Sequence, residues 1–365
     1  MKILIVQDHL RSGGTERQSI LLANAFAAAG HVSTLLTFRP GGPLAATVAP
    51  GVGRRSLQSF DSSLDWFAPG LSRTAAQLAP DLVLCMGRMA NCYAGALQRH
   101  LPSAAVLGTL RTGKTLPWLF RRSLATVRHV VANSREARDL LVERHAVSPQ
   151  RITVIHNSLV FPSPASPSTA VSSPVALRVD HAAAPSTLVL LCVAMFRPEK
   201  LQRELIEIAA GLPPALDWQL WLAGDGPARP ECEQLAREKN LSSRVKFLGF
   251  LRDPSSLYAA ADVAVHASAS ESLSNFFIEA QAHGLPCVAY AAQGIGETFL
   301  PHRTGWVIAR GDRESFRDTL GRIAGFSPAQ RTALAHEART FARATFDPAR
   351  QVSAYLDLFQ RLIEK

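Results

Sequence analysis

At 365 residues the chain is long enough to bury a large core, and chains of this length ordinarily divide into two domains. Its 47% hydrophobic and 19% charged content describes a globular protein, with no apolar run approaching the roughly eighteen residues of a membrane-spanning helix and no paired spacing among five scattered cysteines. A net charge of +10 favours anionic partners, but the arginines are dispersed and no helix-turn-helix or RNA-binding signature accompanies them, which argues against nucleic acid.

The chain opens on an apolar strand, Lys2 to Val6, followed by Ser12-Gly13-Gly14-Thr15-Glu16-Arg17 and an amphipathic helix running to about Ala29. The start does not read as a secretory leader, so a cytoplasmic location is expected. Glycines after a strand let backbone N–H groups approach a phosphate closely, which makes Gly13 and Gly14 candidate ligand contacts. The full Gly-x-Gly-x-x-Gly spacing is absent, however, and such a turn can equally serve only to join a strand to a helix.

Short apolar strands follow at Asp81 to Cys85, Ala104 to Leu107, His129 to Ala132 and Arg151 to Ile155, alternating with helical segments. This is the pattern of a parallel sheet covered on both faces. At the end of one of these strands stands Arg111, a candidate for grasping an acidic or phosphate-bearing acceptor, with a surface or helix-capping arginine as the plain alternative. Downstream, Lys114, Arg121, Arg122 and Arg128 are interleaved with Leu116, Trp118, Leu119 and Phe120. That mixture suits peripheral contact with an anionic membrane, or else an ordinary helix whose aromatic side is core.

From Val160 to Ser186 the texture becomes Pro-, Ser- and Ala-rich, and no regular helix is expected there. A second alternating run has strands near Thr187 to Val193, Trp218 to Ala223, Arg244 to Leu248, Asp262 to His266 and Pro286 to Tyr290. The expected organisation is therefore an N-terminal domain over 1–160, a linker over 161–186 and a second domain over 187–347. A last helix over 348–365 crosses back to the first domain. The expected fold is α/β, with two doubly wound parallel-sheet domains facing each other across a cleft, and a ligand outside the carboxyl ends of the strands.

The second run carries the densest chemistry. In Ser270-Glu271-Ser272-Leu273-Ser274-Asn275-Phe276-Phe277-Ile278-Glu279, two glutamates straddle the start of a helix, with Ser274 or Asn275 as N-cap and Gly284 as stop. Amides and the positive dipole end at residues 274 to 277 would favour an anion, and both carboxylates could accept hydrogen bonds from hydroxyls beside it. Such a site suits a sugar nucleotide. The plain alternative is an amphipathic helix with one exposed glutamate and one in its entry loop. Upstream, Arg197-Pro198-Glu199-Lys200 follows a strand, placing two cations where a phosphate could be held, or forming a solvated turn.

Taken together, Gly13-Gly14-x-Glu16, Arg197-Pro198-Glu199-Lys200, Ala223-Gly224-Asp225-Gly226-Pro227 and the Glu271 to Glu279 element resemble the family 4 retaining glycosyltransferases of the GT-B fold. Ala132-Asn133-Ser134, Ile155-His156-Asn157-Ser158, Ala260-Ala261-Asp262 and Gly294-Ile295-Gly296-Glu297 extend the resemblance over nearly the whole chain. It implies transfer from a nucleotide-sugar donor, a UDP- or GDP-sugar, to a glycan or lipid-linked acceptor in envelope polysaccharide or lipopolysaccharide synthesis. No metal or other cofactor is implied.

By the same resemblance Arg197 and Lys200 hold the donor diphosphate and stabilise its growing charge, Glu271 approaches the transferred sugar and Glu279 holds the ribose hydroxyls. Backbone groups around Ser274, Asn275 and Phe276 contact the sugar or phosphates, and Phe250 and Leu251 border the base. Two departures stand out. The arginine of the usual pair stands further before the lysine, near Met195 here, and the segment Gly108 to Lys114 lacks the histidine that many relatives place opposite the donor sugar. A non-catalytic binding subunit and a nucleotide-sugar epimerase on the same fold remain the alternative functions.

Overall fold

The computed structural model describes residues 1–11, 13–159, 173–251 and 253–364. Most of its strands are apolar on both faces and sort their side chains by alternation, the exposed edge segment Gly53–Ser56 excepted. Along β1 (Lys2–Gln7), Leu4 and Val6 enter one core layer while Ile3 and Ile5 enter another. This period of two is what a sheet covered by helices on both sides requires.

In chain order β1 is followed by α1 (Gly14–Ala28), β2 (Val32–Thr37), β3 (Gly53–Ser56), α2 (Leu71–Leu78), β4 (Leu82–Cys85) and α3 (Arg88–His100). Then come β5 (Ala105–Leu110), α4 (Trp118–Thr126), β6 (His129–Ala132), α5 (Arg135–His145) and β7 (Ile152–Val154). These strands form a seven-stranded sheet in the order β3-β2-β1-β4-β5-β6-β7, and every pairing is parallel.

Beyond β7 the elements are α6 (Pro174–Asp180), β8 (Leu188–Val193), α7 (Gln202–Ala210), β9 (Trp218–Ala223), α8 (Arg229–Glu238) and β10 (Val245–Gly249). After them come α9 (Ser255–Ala260), β11 (Val263–His266), α10 (Asn275–His283), β12 (Cys287–Tyr290), β13 (Gly305–Ile308), α11 (Arg313–Ala324), α12 (Pro328–Thr345) and α13 (Pro348–Ile363). Here the sheet has six strands, ordered β10-β9-β8-β11-β12-β13 and again wholly parallel.

The chain divides into two compact units, one comprising Met1–Ser158 with Pro348–Lys365 and the other Leu159–Asp347. In the first, Tyr355, Leu358, Phe359 and Leu362 of α13 recur at helical spacing and pack on α1, where the Phe26 ring lies 5.5 Å from Phe359. Burying each such side chain contributes about 1.5–3 kcal/mol. A polar knot reinforces the docking. Gln18 donates to the Ser158 carbonyl at 2.6 Å, the Ser158 hydroxyl bonds Gln351 at 2.6 Å, and Gln351 donates to the His156 carbonyl at 2.8 Å. The Ile155-His156-Asn157-Ser158 motif is thus the place where α1 and α13 are tied together.

One expectation fails. The segment from Val160 to Ser186, read as unable to hold a regular helix, contains α6. Ser173 caps that helix by accepting from the Ala176 amide, Pro174 stands at its first position, and Arg178 donates to Asp262 at 2.5 Å. A cap, a first-turn proline and one partly buried ion pair outweigh the weak composition of a seven-residue helix. Residues 160–172 of that stretch lie outside the described residues.

Candidate active site

In each sheet the strand order reverses direction once, between β1 and β4 in the first unit and between β8 and β11 in the second. At such a switch point the two chain segments leaving the carboxyl ends diverge and open a crevice for a ligand. In the second unit the segment leaving β8 carries Arg197 and Lys200, and the segment leaving β11 carries Glu271. The Lys200 Nζ donates to Glu271 Oε1 at 2.5 Å, the side chains being 23% and 11% exposed.

The backbone under this pair is stitched together. The Ala269 amide donates to the Glu199 carbonyl at 2.8 Å, and the Ser268 hydroxyl donates to the same oxygen at 3.1 Å. Burial drives the Glu271 carboxyl up, but the charge and hydrogen bond of Lys200 lead the opposing influences, and the group is held below its ordinary range. It is an ionised carboxylate in a nearly dry setting. Arg197, half-buried, has no carboxylate partner among the described residues, so its charge is left available to an anion.

The glycines after β9 explain how the Arg197 turn is held. Gly224 and Gly226 have φ of 134° and 149°, and a Cβ on them would stand 2.1 Å from the Ala194 carbonyl oxygen and 2.4 Å from that of Phe196. That close approach lets the Phe196 amide donate to Asp225 at 2.9 Å and the Ala228 amide donate to Phe196 at 3.1 Å. The Ala223-Gly224-Asp225-Gly226-Pro227 motif is thus a cradle for the cationic turn.

Helix α10 begins at Asn275 with Ser274 as N-cap; the Ser274 side chain makes no capping hydrogen bond. Gly284, at φ 86°, stops the helix, and the Leu285 amide returns to the Ala280 carbonyl at 2.9 Å. Phe276 and Phe277 are buried in the core layer that includes Ala264 of β11, while Ile278 packs with Ala342 of α12, and together they pin the helix start. Glu279, one turn in, accepts from the Tyr258 hydroxyl at 2.5 Å. Burial and then the Glu279 charge push the Tyr258 phenol well above its ordinary value, so it stays a donor and orients the carboxylate. Phe250 and Leu251 are 53% and 39% exposed, an apolar pair left facing solvent after β10.

The structure therefore brings Lys200 and Glu271 into contact and sets Arg197 on the same turn as Lys200, with Ser274, Asn275, Phe276 and Glu279 opening the helix that follows Glu271. Two residues escaped the sequence reading. Tyr258 was hidden in the Ala-rich α9, and His266 looked like the end of an apolar strand.

In the first unit Gly13 is the N-cap of α1 and Gly14 its first residue. Gly13 has an ordinary φ of −79°, and the space its Cβ would fill is taken by the Glu16 carboxylate, whose Oε2 would lie 2.4 Å away. The close approach there is to the chain's own acid. At the switch point of this sheet Asp8 accepts from the Met89 and Ala90 amides at 3.0 and 2.7 Å, capping α3. Burial pushes its pKa up to about 6, against those two hydrogen bonds. Arg111 turns inward: it donates to Asn157 Oδ1 and, at 2.6 Å, to the Tyr355 hydroxyl, while its Nε is buried without a partner among the described residues. Any grasp of an acceptor by Arg111 would have to release those bonds.

Two doubly wound parallel sheets in one chain, the second with a cation–carboxylate pair at its switch point, define the GT-B class of glycosyltransferase folds. Solved structures agree on the fold. Anabaena Alr3699/HepE, crystallised with UDP-glucose, has a TM-score of 0.81 at 23% identity, covering 99% of this chain and 100% of that one. WaaG, a glycosyltransferase involved in lipopolysaccharide biosynthesis, gives 0.76 at 20% identity over 98% and 99% of the two chains.

The model of Glycosyltransferase Family 4 matches residues 12–159 and that of Glycosyl transferases group 1 matches residues 187–325. The chain belongs to glycosyltransferase family 4. Among its relatives is the lipopolysaccharide core biosynthesis glycosyltransferase LpsE of Rhizobium meliloti (strain 1021), 32% identical over 170 residues, or 47% of this chain and 49% of that protein. The matched region spans about half the length, or less, of the first such relatives.

Proposed function

We propose that this protein transfers a sugar from a nucleotide-sugar donor, a UDP- or GDP-sugar, to a glycan or lipid-linked acceptor in envelope polysaccharide or lipopolysaccharide synthesis. The observation that carries the reading is the Lys200–Glu271 pair at the β8/β11 switch point, with Arg197 on the same turn and without a carboxylate partner among the described residues. Family membership, the relatives' names and the UDP-glucose in HepE support it.

On this reading Lys200 and Arg197 hold the donor diphosphate and offset the charge that grows as the glycosidic bond breaks. Fixed cations in a water-poor site are worth more there than in bulk solvent. No metal or other cofactor enters. Glu271 faces the sugar as positive charge develops on it, and Glu279, oriented by Tyr258, takes the ribose hydroxyls. Backbone at Ser274, Asn275, Phe276 and Leu251 completes the donor contacts in the second unit. Retention follows if the attacking hydroxyl enters on the face the phosphate leaves, with the departing phosphate oxygen accepting its proton. Arg111 remains the candidate contact for an anionic acceptor.

A thermal-shift screen against UDP, GDP, ADP and their sugar conjugates tests this, since a ligand bound only by the folded state raises its stability by mass action. One nucleotide family is expected to raise the melting temperature of the wild type, and Glu279→Ala is expected to abolish the shift. No shift with any of them would contradict the donor site.

The acceptor is proposed to be met at the inner face of the cytoplasmic membrane. No helix among the described residues is long and apolar enough to cross a membrane, and the contact proposed is a peripheral one. Its surface is the start of α4, where Trp118 and Leu119 are 61% and 47% exposed beside Arg121 and Arg122. Sedimentation with phosphatidylglycerol vesicles at low salt should carry down the wild type, and Trp118→Ala with Leu119→Ala should leave it in the supernatant. Wild-type protein that ignores such vesicles would rule this surface out.

A further inference from the structure

His266 ends β11 and is 2% exposed. Its ring centroid lies 5.9 Å from those of both Phe276 and Phe277, in the first turn of α10. The Ser268 amide donates to its Nδ1 at 3.2 Å. A ring nitrogen that accepts an N–H is unprotonated, so the neutral ring carries its proton on Nε2. That nitrogen stands 3.6 Å from Glu271 Oε1, the same oxygen that Lys200 grips.

We propose that His266 is a positioning residue for Glu271: its Nε2–H, aimed by the Ser268 amide and clamped by Phe276 and Phe277, keeps the carboxylate in the orientation that meets Lys200. The proposal rests on the donor-site reading for its role in transfer, but its geometry stands apart from it. The 3.6 Å separation is longer than a full hydrogen bond, so the ring acts as an oriented dipole and a steric wall. Locking a site carboxylate by packing and a fixed neighbour is what keeps a reacting constellation within tenths of an ångström.

The charged groups facing the ring are Glu271, from the loop after β11, and Lys200, from the turn after β8; α10 presents the two phenylalanine rings. Burial, despite the pull of Glu271, pushes the imidazole pKa down to about 4, with Lys200 adding to the fall. The residue therefore stays neutral across the working pH range, a constant donor and not a titrating switch.

Nitrogen-15 spectra of the full chain test the geometry without any substrate. The His266 signals, identified by their loss in His266→Gln, are expected to show a protonated Nε2 and a bare Nδ1, unchanged from pH 8 to about pH 5. The opposite tautomer, or titration near the ordinary histidine value, would overturn the proposal.

The functional arm compares His266→Leu with His266→Gln, in which an amide N–H can reach toward the Nε2 position. With the nucleotide sugar found in the screen, the leucine variant should lose on the order of tenfold to a hundredfold in kcat, with KM for the donor little changed, and glutamine should recover most of it. Equal losses in both, or none in the leucine variant while it still binds the nucleoside diphosphate, would make the histidine a packing residue only. If the wild type binds no nucleotide, the donor reading fails and the nitrogen spectra still decide on His266.

Discussion

Replacing Lys200 by alanine is expected to lower the transfer rate by on the order of 10²–10³-fold, the usual effect of removing one fixed charge or donor aimed at a developing anion. It should also destabilise the second unit. Glu271 is only 11% exposed, and stripping the partner from a largely buried carboxylate costs about 3 kcal/mol. Adding Glu271→Gln to the variant removes the stranded charge, so the double variant should regain most of the stability while recovering none of the activity.

The pH dependence carries a sign that separates the two states. In the wild type the Glu271 carboxyl is held below its ordinary value of 4.5, so its stabilising contribution is present above that pH and is lost as pH falls through the lower, folded value. Without Lys200, burial, already the largest single influence on the carboxyl, is no longer outweighed and pushes it up. The variant's deficit against wild type should then shrink as pH is lowered. Melting curves of both proteins between pH 4 and pH 8 check this, and a deficit that stays constant over the range would show that the pair contributes nothing through charge.

The other large effect is expected at Gly226. An alanine there would need a φ of 149° and a Cβ 2.4 Å from the Phe196 carbonyl oxygen, which is backbone and cannot swing aside. Strain and overpacking together should cost about 2–5 kcal/mol. Because the displaced segment is the one that carries Arg197, donor affinity should fall further than stability alone explains. Gly296→Ala is the matched control, since nothing lies within 4 Å of the Cβ it would add. Chemical denaturation and nucleotide titration of both variants measure the two effects, and a Gly226→Ala protein as stable as the control would refute the cradle.

The alternation of strand and helix was legible because the strands are apolar on both faces, and the switch-point rule then located the ligand end of each sheet without any motif. What escaped had weak local signals. β3, with sequence Gly-Arg-Arg-Ser, is an exposed edge strand that shows no apolar pattern and is specified by pairing with β2. α6 depends on a cap, a proline and the distant Asp262.

Within the site, Lys200 and Glu271 could be read as candidates from their motifs, but their contact spans 71 positions and exists only once β8 and β11 lie side by side. A lone histidine ending an apolar strand carries no sign of function, and only the fold sets His266 against Glu271. Arg111 shows the converse. Its motif suggested an outward grasp, whereas Asn157 and Tyr355, 46 and 244 positions away, draw it inward. Long-range partners of that kind are invisible to spacing.

Titration calorimetry of the nucleoside diphosphate selected by the screen, run against wild type, Lys200→Ala and Glu279→Ala, tests the central claim most directly. The donor-site account predicts binding by the wild type, a loss of at least tenfold in affinity in each variant, and a dependence on Lys200 that disappears when the nucleoside is offered without its phosphates. Equal affinity of all three proteins for the diphosphate would mean that the switch-point pair is not where the donor binds.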